Sequence, residues 1–347
     1  MIGIIVKKRV LKVNEYSFLE EVSKICITGG SGFIGSNLIR IVKNISKSTE
    51  ILNLDISPPK NESQKYLWQY CDLNNEKELF DYIKSFEPNY IIHLAAEATT
   101  FGKTLNDYKT NIDGVKNLIN VVKNLSEKVS IIFVSSQHVK KPGTFNNSNT
   151  NEYSPLGLYG QSKVITEELV KKAKLKQNWF IVRPTLVWGP GNLIMAESIF
   201  KYIHKDIYYH PKNDNTVRSY GYVDNVCYQM LKLCSIKPES LDTRILYVAD
   251  GNILQKEWIY LACKLMDRGE TKTVPKFIIE AGSYIGDFIK YFYPKFPLYK
   301  ERYFNLTTSN PVSLSSTFSL LGKPKIGLYK AMVKTTCWIK DYYDAKK

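Results

Sequence analysis

The stretch Lys24-Ile25-Cys26-Ile27-Thr28-Gly29-Gly30-Ser31-Gly32-Phe33-Ile34-Gly35 constrains this chain more than any other. An apolar run leads into a glycine turn, and beyond it Leu38, Ile39 and Val42 recur at helical spacing between Ser36 and about Asn44. A buried strand, a tight turn and a helix are expected in that order. Gly29 and Gly30 turn where a side chain would clash, Gly32 lets backbone approach a diphosphate, and Gly35 lets helix and strand pack closely. The diphosphate would sit on the helix N-terminus. The next apolar run, Glu50-Ile51-Leu52-Asn53-Leu54-Asp55, ends in a carboxylate 20 residues after Gly35, where an acid meets the ribose of a dinucleotide. The competing reading, an ordinary strand-turn-helix followed by an accidental acid, leaves that spacing unexplained.

From Lys24 onward strand and helix patterns alternate. Glu76 to Phe86 reads as helix, Tyr90 to Leu94 as strand, Leu105 to Leu125 as a long helix and Ser130 to Ser135 as strand. Leu158 to Lys174 then reads as helix and Trp179 to Val182 as strand. Strands that are apolar throughout and alternate with helices make a doubly wound parallel α/β sheet, a Rossmann fold. The expected organisation is an N-terminal extension over 1–23, a nucleotide-binding Rossmann domain over 24–183 and a smaller C-terminal substrate-binding region over 184–347. Ile245 to Ala249 reads as one more strand, placed to return to the sheet, and Asp224 to Cys234 and Gln255 to Met266 read as helices. Residues 141–154 form a polar loop long enough to suggest a functional role.

Composition removes several classes of function. No apolar run reaches the length of an export signal or a membrane span, because Lys7, Lys8 and Arg9 interrupt the only N-terminal candidate. The six cysteines lie singly with no histidine near them, so no metal site is expected and a reducing cytoplasm suits them. The net charge of +15 is first a solvated surface, and functionally it favours anionic partners, a diphosphate substrate or an acidic membrane face. No basic run interleaved with aromatics points to nucleic acid.

Chemistry enters with Tyr159-Gly160-Gln161-Ser162-Lys163, which puts a phenol and an ammonium one helical turn apart. A fixed ammonium beside a phenol favours the phenolate, so Tyr159 would exchange a proton with a substrate hydroxyl near neutral pH. Upstream, Ser135-Ser136-Gln137-His138-Val139 lies at a strand's carboxyl end, where open α/β sheets place ligands, and Ser136 can hydrogen-bond the same hydroxyl. Taken alone, a tyrosine and a lysine four apart are an ordinary surface pair.

With these residues the chain resembles the extended short-chain dehydrogenase/reductase superfamily, in its NAD-dependent sugar epimerase/dehydratase branch. The resemblance covers roughly residues 24–250. It rests on the glycine stretch, Asp55, Cys71-Asp72-Leu73, His93-Leu94-Ala95-Ala96, Thr110-Asn111-Ile112-Asp113-Gly114, Ser135-Ser136, Tyr159 through Lys163 and Val182-Arg183-Pro184. It implies NAD as cofactor, held by Gly29, Gly32, Phe33, Ile34, Gly35, Asp55, Asp72, Leu73, Ala95, Ala96, Asn111, Tyr159 and Lys163. It implies Ser136, Tyr159 and Lys163 as the catalytic set, and Arg218, in Val217-Arg218-Ser219-Tyr220-Gly221-Tyr222-Val223-Asp224, as the grip on a substrate diphosphate, with Ser136 and His138 also facing substrate. A guanidinium fork suits the diphosphate task, and a surface arginine is the bland alternative.

The departures narrow the activity. Family dehydratases follow the catalytic hydroxyl with Asp-Glu, and here Gln137-His138 stand instead, which argues against dehydration. Many nucleotide-sugar epimerases place an asparagine where this chain has Leu186, a form closer to members that act on lipid-linked sugars or sterol-like alcohols. The apolar segment 274–292 loosely resembles one in polyprenyl-diphosphate-sugar epimerases, and a core helix of the small domain is the equal alternative. The expectation is therefore an NAD-dependent, cytoplasmic epimerase of a diphosphate-linked sugar in polysaccharide biosynthesis. Peripheral contact with the inner membrane face and a homodimer are both allowed. A reductase or dehydrogenase of the same fold, and a non-catalytic dinucleotide-binding protein, are the alternatives.

Overall fold

Seven parallel strands form the central sheet, in the spatial order Ile245–Val248 (β10), Asn178–Pro184 (β6), Ser130–Val134 (β5), Tyr90–His93 (β4), Lys24–Thr28 (β1), Glu50–Asp55 (β2) and Trp68–Tyr70 (β3). The computed structural model describes residues 23–100, 102–143, 152–237, 243–293, 296 and 298–346. All of the expected N-terminal extension except Ser23, and residues 144–151 of the expected polar loop, lie outside the described residues. The first half runs β1 (Lys24–Thr28), α1 (Phe33–Ile45), β2 (Glu50–Asp55), β3 (Trp68–Tyr70), α2 (Glu76–Phe86), β4 (Tyr90–His93), α3 (Lys109–Lys123), β5 (Ser130–Val134), α4 (Gly157–Lys172) and β6 (Asn178–Pro184).

Every second residue of a strand turns to the opposite face of the sheet, so each strand feeds two cores. Ile25 and Ile27 join Leu38 and Val42 of α1 on one face, while Cys26 joins Leu79 and Ile83 of α2 and Leu118 of α3 on the other. Burying each such aliphatic side chain contributes about 1.5–3 kcal/mol. The sheet is covered on both faces, which is why its strands read as unbroken apolar runs.

After β6 the chain leaves the sheet. It forms β7 (Leu186–Trp188), α5 (Leu193–Met195), a π-helical turn over Ala196–Phe200, α6 (Lys201–His204), β8 (His210–Pro211), β9 (Val217–Tyr222) and α7 (Val223–Cys234). It then returns as β10 (Ile245–Val248), paired in parallel with β6, as the run from Ile245 suggested. β11 (Gly251–Leu254), α8 (Gln255–Leu265) and β12 (Thr273–Val274) follow, then α9 (Lys276–Phe292), α10 (Lys300–Thr307), α11 (Ser315–Leu321) and α12 (Leu328–Asp344). β11, β9 and β7 make a second, three-stranded sheet. Trp258 of α8 stacks on Tyr220 of β9, ring centroids 5.3 Å apart, and meets Trp188 of β7 edge-on at 5.3 Å. These rings lock the small sheet onto the first core.

The alternative of a core helix over 274–292 does not hold. α9 buries only Ser283 and Gly286, and most of its large apolar side chains are exposed, Ile279 and Ile289 being partly buried.

Candidate active site

The chain reverses direction across the sheet between β1 and β4, and at that switch point the carboxyl ends of the strands open a crevice. Gly29 sits there with φ +74°, and a Cβ on it would lie 2.5 Å from the Ala95 amide nitrogen. A Cβ on Gly35 would lie 2.5 Å from the Gly30 Cα, so α1 can start against the turn only with hydrogen at that position. Gly32, the residue before α1, is exposed, and no side chain caps the helix. The first amides of α1 therefore point at open space and suit a diphosphate. Asp55 accepts hydrogen bonds from the Ser31 amide (3.1 Å) and the Ser57 amide (2.9 Å), which ties the carboxylate to the glycine turn. Half-exposed, it keeps lone pairs for two ribose hydroxyls. These residues fit a dinucleotide.

The other residues expected at the cofactor lie on neighbouring elements. Asp72 accepts from the Asn74 amide at 2.9 Å, and Leu73 is buried beneath α3, its carbonyl held by Asn117 at 2.8 Å. Ala95 and Ala96 are half-buried on the chain leaving β4, where the Leu94 amide bonds the Thr28 carbonyl at 2.9 Å. Asn111 is buried and bridges two elements. It exchanges hydrogen bonds with the backbone of Glu97 (2.7 and 3.0 Å) and donates to the Ser162 hydroxyl (3.1 Å). Ser162 in turn donates to the Tyr159 carbonyl at 2.8 Å, so Asn111 fixes the first turn of α4.

The Ser136 hydroxyl lies near enough to the Tyr159 phenol to hold its pKa down against burial. The Ser136 hydroxyl also accepts from the His138 amide at 3.2 Å, which starts a short 3-10 turn over Gln137–Val139. Lys163 is buried one turn along α4, its Nζ donating to the Val134 carbonyl at 2.9 Å and lying 6.0 Å from the Tyr159 ring centroid. Burial pulls the Lys163 ammonium down to about 8, opposed by the Glu167 carboxylate. Burial pushes the Tyr159 phenol up to about 12; the Ser136 hydroxyl opposes this, and Tyr108 and Glu97 add to it.

Burial favours the protonated phenol, and the phenolate that takes a proton needs a compensating positive charge beside it. His138 packs edge-on to Tyr159 at 5.6 Å, burial keeps it neutral, and its Nδ1 has no partner among the described residues. His93, at the end of β4, is buried against the Thr28 hydroxyl (2.7 Å); burial first and the Lys163 charge second pull it down to about 3.

Sequence reasoning missed the residue beneath this set. Glu167, one further turn along α4, is fully buried and accepts two hydrogen bonds from Arg183, Nε at 2.8 Å and Nη2 at 2.7 Å. It also accepts from the Ser135 hydroxyl at 2.6 Å and the Tyr153 hydroxyl at 3.0 Å. The signal was present, since Tyr159, Lys163 and Glu167 recur every four residues and share one helix face.

Arg218 stands apart from the tyrosine, on β9. It donates to Gln255, feels the charge of Asp214, and burial holds its guanidinium below the ordinary value. Asp214 is paired with His210 at 3.2 Å, and His210 with the Tyr208 hydroxyl at 3.0 Å. One segment links Arg218 to the catalytic side. The Ser309 carbonyl accepts from the Gly143 amide (2.9 Å), the Ser309 hydroxyl accepts from the Val217 amide (3.0 Å), and the Asn310 amide donates to the Val217 carbonyl (2.9 Å). Leu186 lies half-buried on β7, opposite Tyr220.

Comparison with known proteins agrees with this geometry. The family described as "NAD dependent epimerase/dehydratase family" matches residues 25–245. A GDP-6-deoxy-D-talose 4-dehydrogenase from Aggregatibacter actinomycetemcomitans is 27% identical over 61% of this chain and 70% of its own length. An N-acetyl-alpha-D-glucosaminyl-diphospho-ditrans,octacis-undecaprenol 4-epimerase from Escherichia coli O157:H7 is 26% identical over 58% of this chain, which spans only 60% of that protein. Among solved structures, a UDP-glucose 4-epimerase from Thermotoga maritima, determined with UDP-glucose, superposes with a TM-score of 0.70 at 19% identity, covering 92% of this chain and 99% of its own. That last likeness is one of fold.

Proposed function

The chain belongs to the NAD dependent epimerase/dehydratase family, and on that premise we propose that it epimerises a diphosphate-linked sugar, carried on a nucleotide or on a polyprenyl diphosphate, through a transient ketone. The observation that carries this is the Tyr159 phenol, beside Ser136 at the carboxyl end of β5 with Lys163 one turn along. NAD, when bound, takes up a hydride and gives it back. Tyr159, as the phenolate that a nearby positive charge favours, removes the proton of the sugar hydroxyl, keeps it on the phenol oxygen while the ketone turns over, and returns it when the other face is reduced. Ser136 donates a hydrogen bond to the same oxygen and positions it. Lys163 orients the site from the Val134 carbonyl, and Asn111 holds the turn that carries Tyr159. Arg218 grips the diphosphate and His138 faces the sugar.

A second reading has its own support. A protonated phenol gives a proton to a ketone, so a ketosugar reductase or alcohol dehydrogenase can use the same residues. The dehydrogenase name of one relative agrees with it. Incubating the purified protein with polyprenyl-diphosphate N-acetylhexosamine, and separately with its UDP-linked counterpart, decides between them. The epimerase interconverts two stereoisomers with no net change in NADH, whereas stoichiometric consumption of NAD(P)H with a ketosugar would replace it by the reductase.

A further inference from the structure

α9 is amphipathic in the inverse sense for a helix of a globular domain. Its small residues face the protein: Ser283 and Gly286 are buried, and Gly286 packs so closely on the Leu298 carbonyl that a Cβ has no room. Most of its large residues face away, with Phe288, Tyr291 and Phe292 exposed to 71, 84 and 71%. Together with the exposed Phe277, Tyr284 and Ile285 they fall within an arc of roughly 120° at about 100° per residue. Isolated exposed apolar side chains are ordinary, but a continuous aromatic stripe marks a contact surface.

We propose that this stripe docks on the surface of an anionic lipid bilayer, the helix lying in the plane of the headgroups. Lysines lie near the stripe, beside the exposed acids Glu280 and Asp287 at one edge. Lys276 opens the helix, the Lys300 ammonium lies 4.0 Å over the Tyr284 ring, and the Lys290 ammonium 3.7 Å over the Tyr299 ring. The two acids of the helix are turned to α10, Asp287 accepting from the Lys300 amide at 3.3 Å and Glu280 from the Tyr303 hydroxyl at 3.4 Å. Phenylalanine and tyrosine flanked by lysine is the composition of helices that settle at the headgroup level. At 17 residues the helix is about 25 Å long, and no described helix is long and apolar enough to cross a membrane, so α9 lies on the bilayer rather than spanning it. A second copy of the chain fits less well, because pairing two stripes would bring together two copies of a chain of net charge +15. The start of α9 adjoins the arginine site, Lys276 lying 4.0 Å from Asp214. Docking thus sets Arg218 beside the headgroups, and this last consequence alone rests on the function proposed above.

The test is flotation of the full chain with vesicles of phosphatidylcholine alone and of phosphatidylcholine mixed with phosphatidylglycerol, without substrate or cofactor. The protein is expected to float with the mixed vesicles and much less with the neutral ones. Phe288→Ser combined with Phe292→Ser, both at exposed positions, is expected to weaken that binding on the order of a hundredfold with an unchanged circular dichroism spectrum. Failure of the unaltered chain to float, equal flotation with both vesicle types, or an undiminished variant would overturn the proposal. So would a dimer that the double substitution dissolves while neither form floats. None of these outcomes depends on which reaction the enzyme performs.

Discussion

Replacing Lys163 by methionine is expected to abolish turnover and, at neutral pH, to make the protein more stable. Lys163 is buried, and its ammonium titrates near 8 instead of 10.5, a penalty on the charged form of about 3.4 kcal/mol at 1.36 kcal/mol per pKa unit. The folded pKa lies below the unfolded one, so between the two the unfolded chain binds more protons. The penalty is then complete below about pH 8 and is relieved as pH rises toward 10.5. It comes to about 3.3 kcal/mol at pH 7 and about 0.8 kcal/mol at pH 10. Methionine removes the penalty and the hydrogen bond to the Val134 carbonyl, a loss of about 1 kcal/mol. The variant should gain about 2 kcal/mol at pH 7 and nothing at pH 10, read from denaturant midpoints at the two pH values. A variant less stable than the parent at pH 7, or a gain equal at both pH values, would refute the reasoning. Retained turnover would refute the role given to Lys163.

Tyr159→Phe should lower turnover by roughly 10²- to 10⁴-fold with NAD binding unchanged by calorimetry; activity within a few-fold of the parent would move the proton to another group, His138 first. Asp55→Ala should erase a preference for NAD over NADP in paired titrations, because the carboxylate both accepts ribose hydroxyls and repels a 2′-phosphate. Glu167→Gln leaves the Arg183 guanidinium buried without its counter-charge and should cost about 3–5 kcal/mol, seen as a lowered thermal midpoint before any effect on the chemistry is scored. Arg218→Ala should raise KM for a diphosphate-linked substrate far more than it lowers kcat, and an unchanged KM would remove Arg218 from the substrate site.

The elements that were legible are those whose signal is local. β2 and α2 occupy the residues their patterns outlined, Glu50–Asp55 and Glu76–Phe86, because apolar alternation and the Asn75 cap are written in consecutive residues. β7, β9 and β11 were not outlined as strands. They are short, rich in Trp, Tyr and Gly, and are stabilised by pairing with one another and by the Trp258 ring, contacts far apart along the chain. Asp55 meets the glycine turn through the Ser31 amide, and Lys163 reaches the end of β5 at the Val134 carbonyl, since motif spacing encodes position on a helix or at a strand end. The protonation of Tyr159 and Lys163 was not legible. It depends on how dry the site is and on which carbonyl the lysine reaches, and Val134 lies 29 residues away. Pattern alone also left open which way α9 faces, since a core helix and an interfacial helix share the same spacing.

The return of the chain as β10 has a practical side. Ile245 to Val248 lie against Ile181 to Pro184, and the Ile181 amide is held by the Arg244 carbonyl at 2.9 Å. A fragment cut after Pro184 would keep the whole glycine turn yet present β6 as a bare rim, its amides and carbonyls unmated and its side chains among the greasiest in the sheet. Such rims recruit one another. The piece that looks most like a free-standing cofactor module is thus the one that should clump when expressed by itself, and soluble truncations will be those that carry the chain past residue 248.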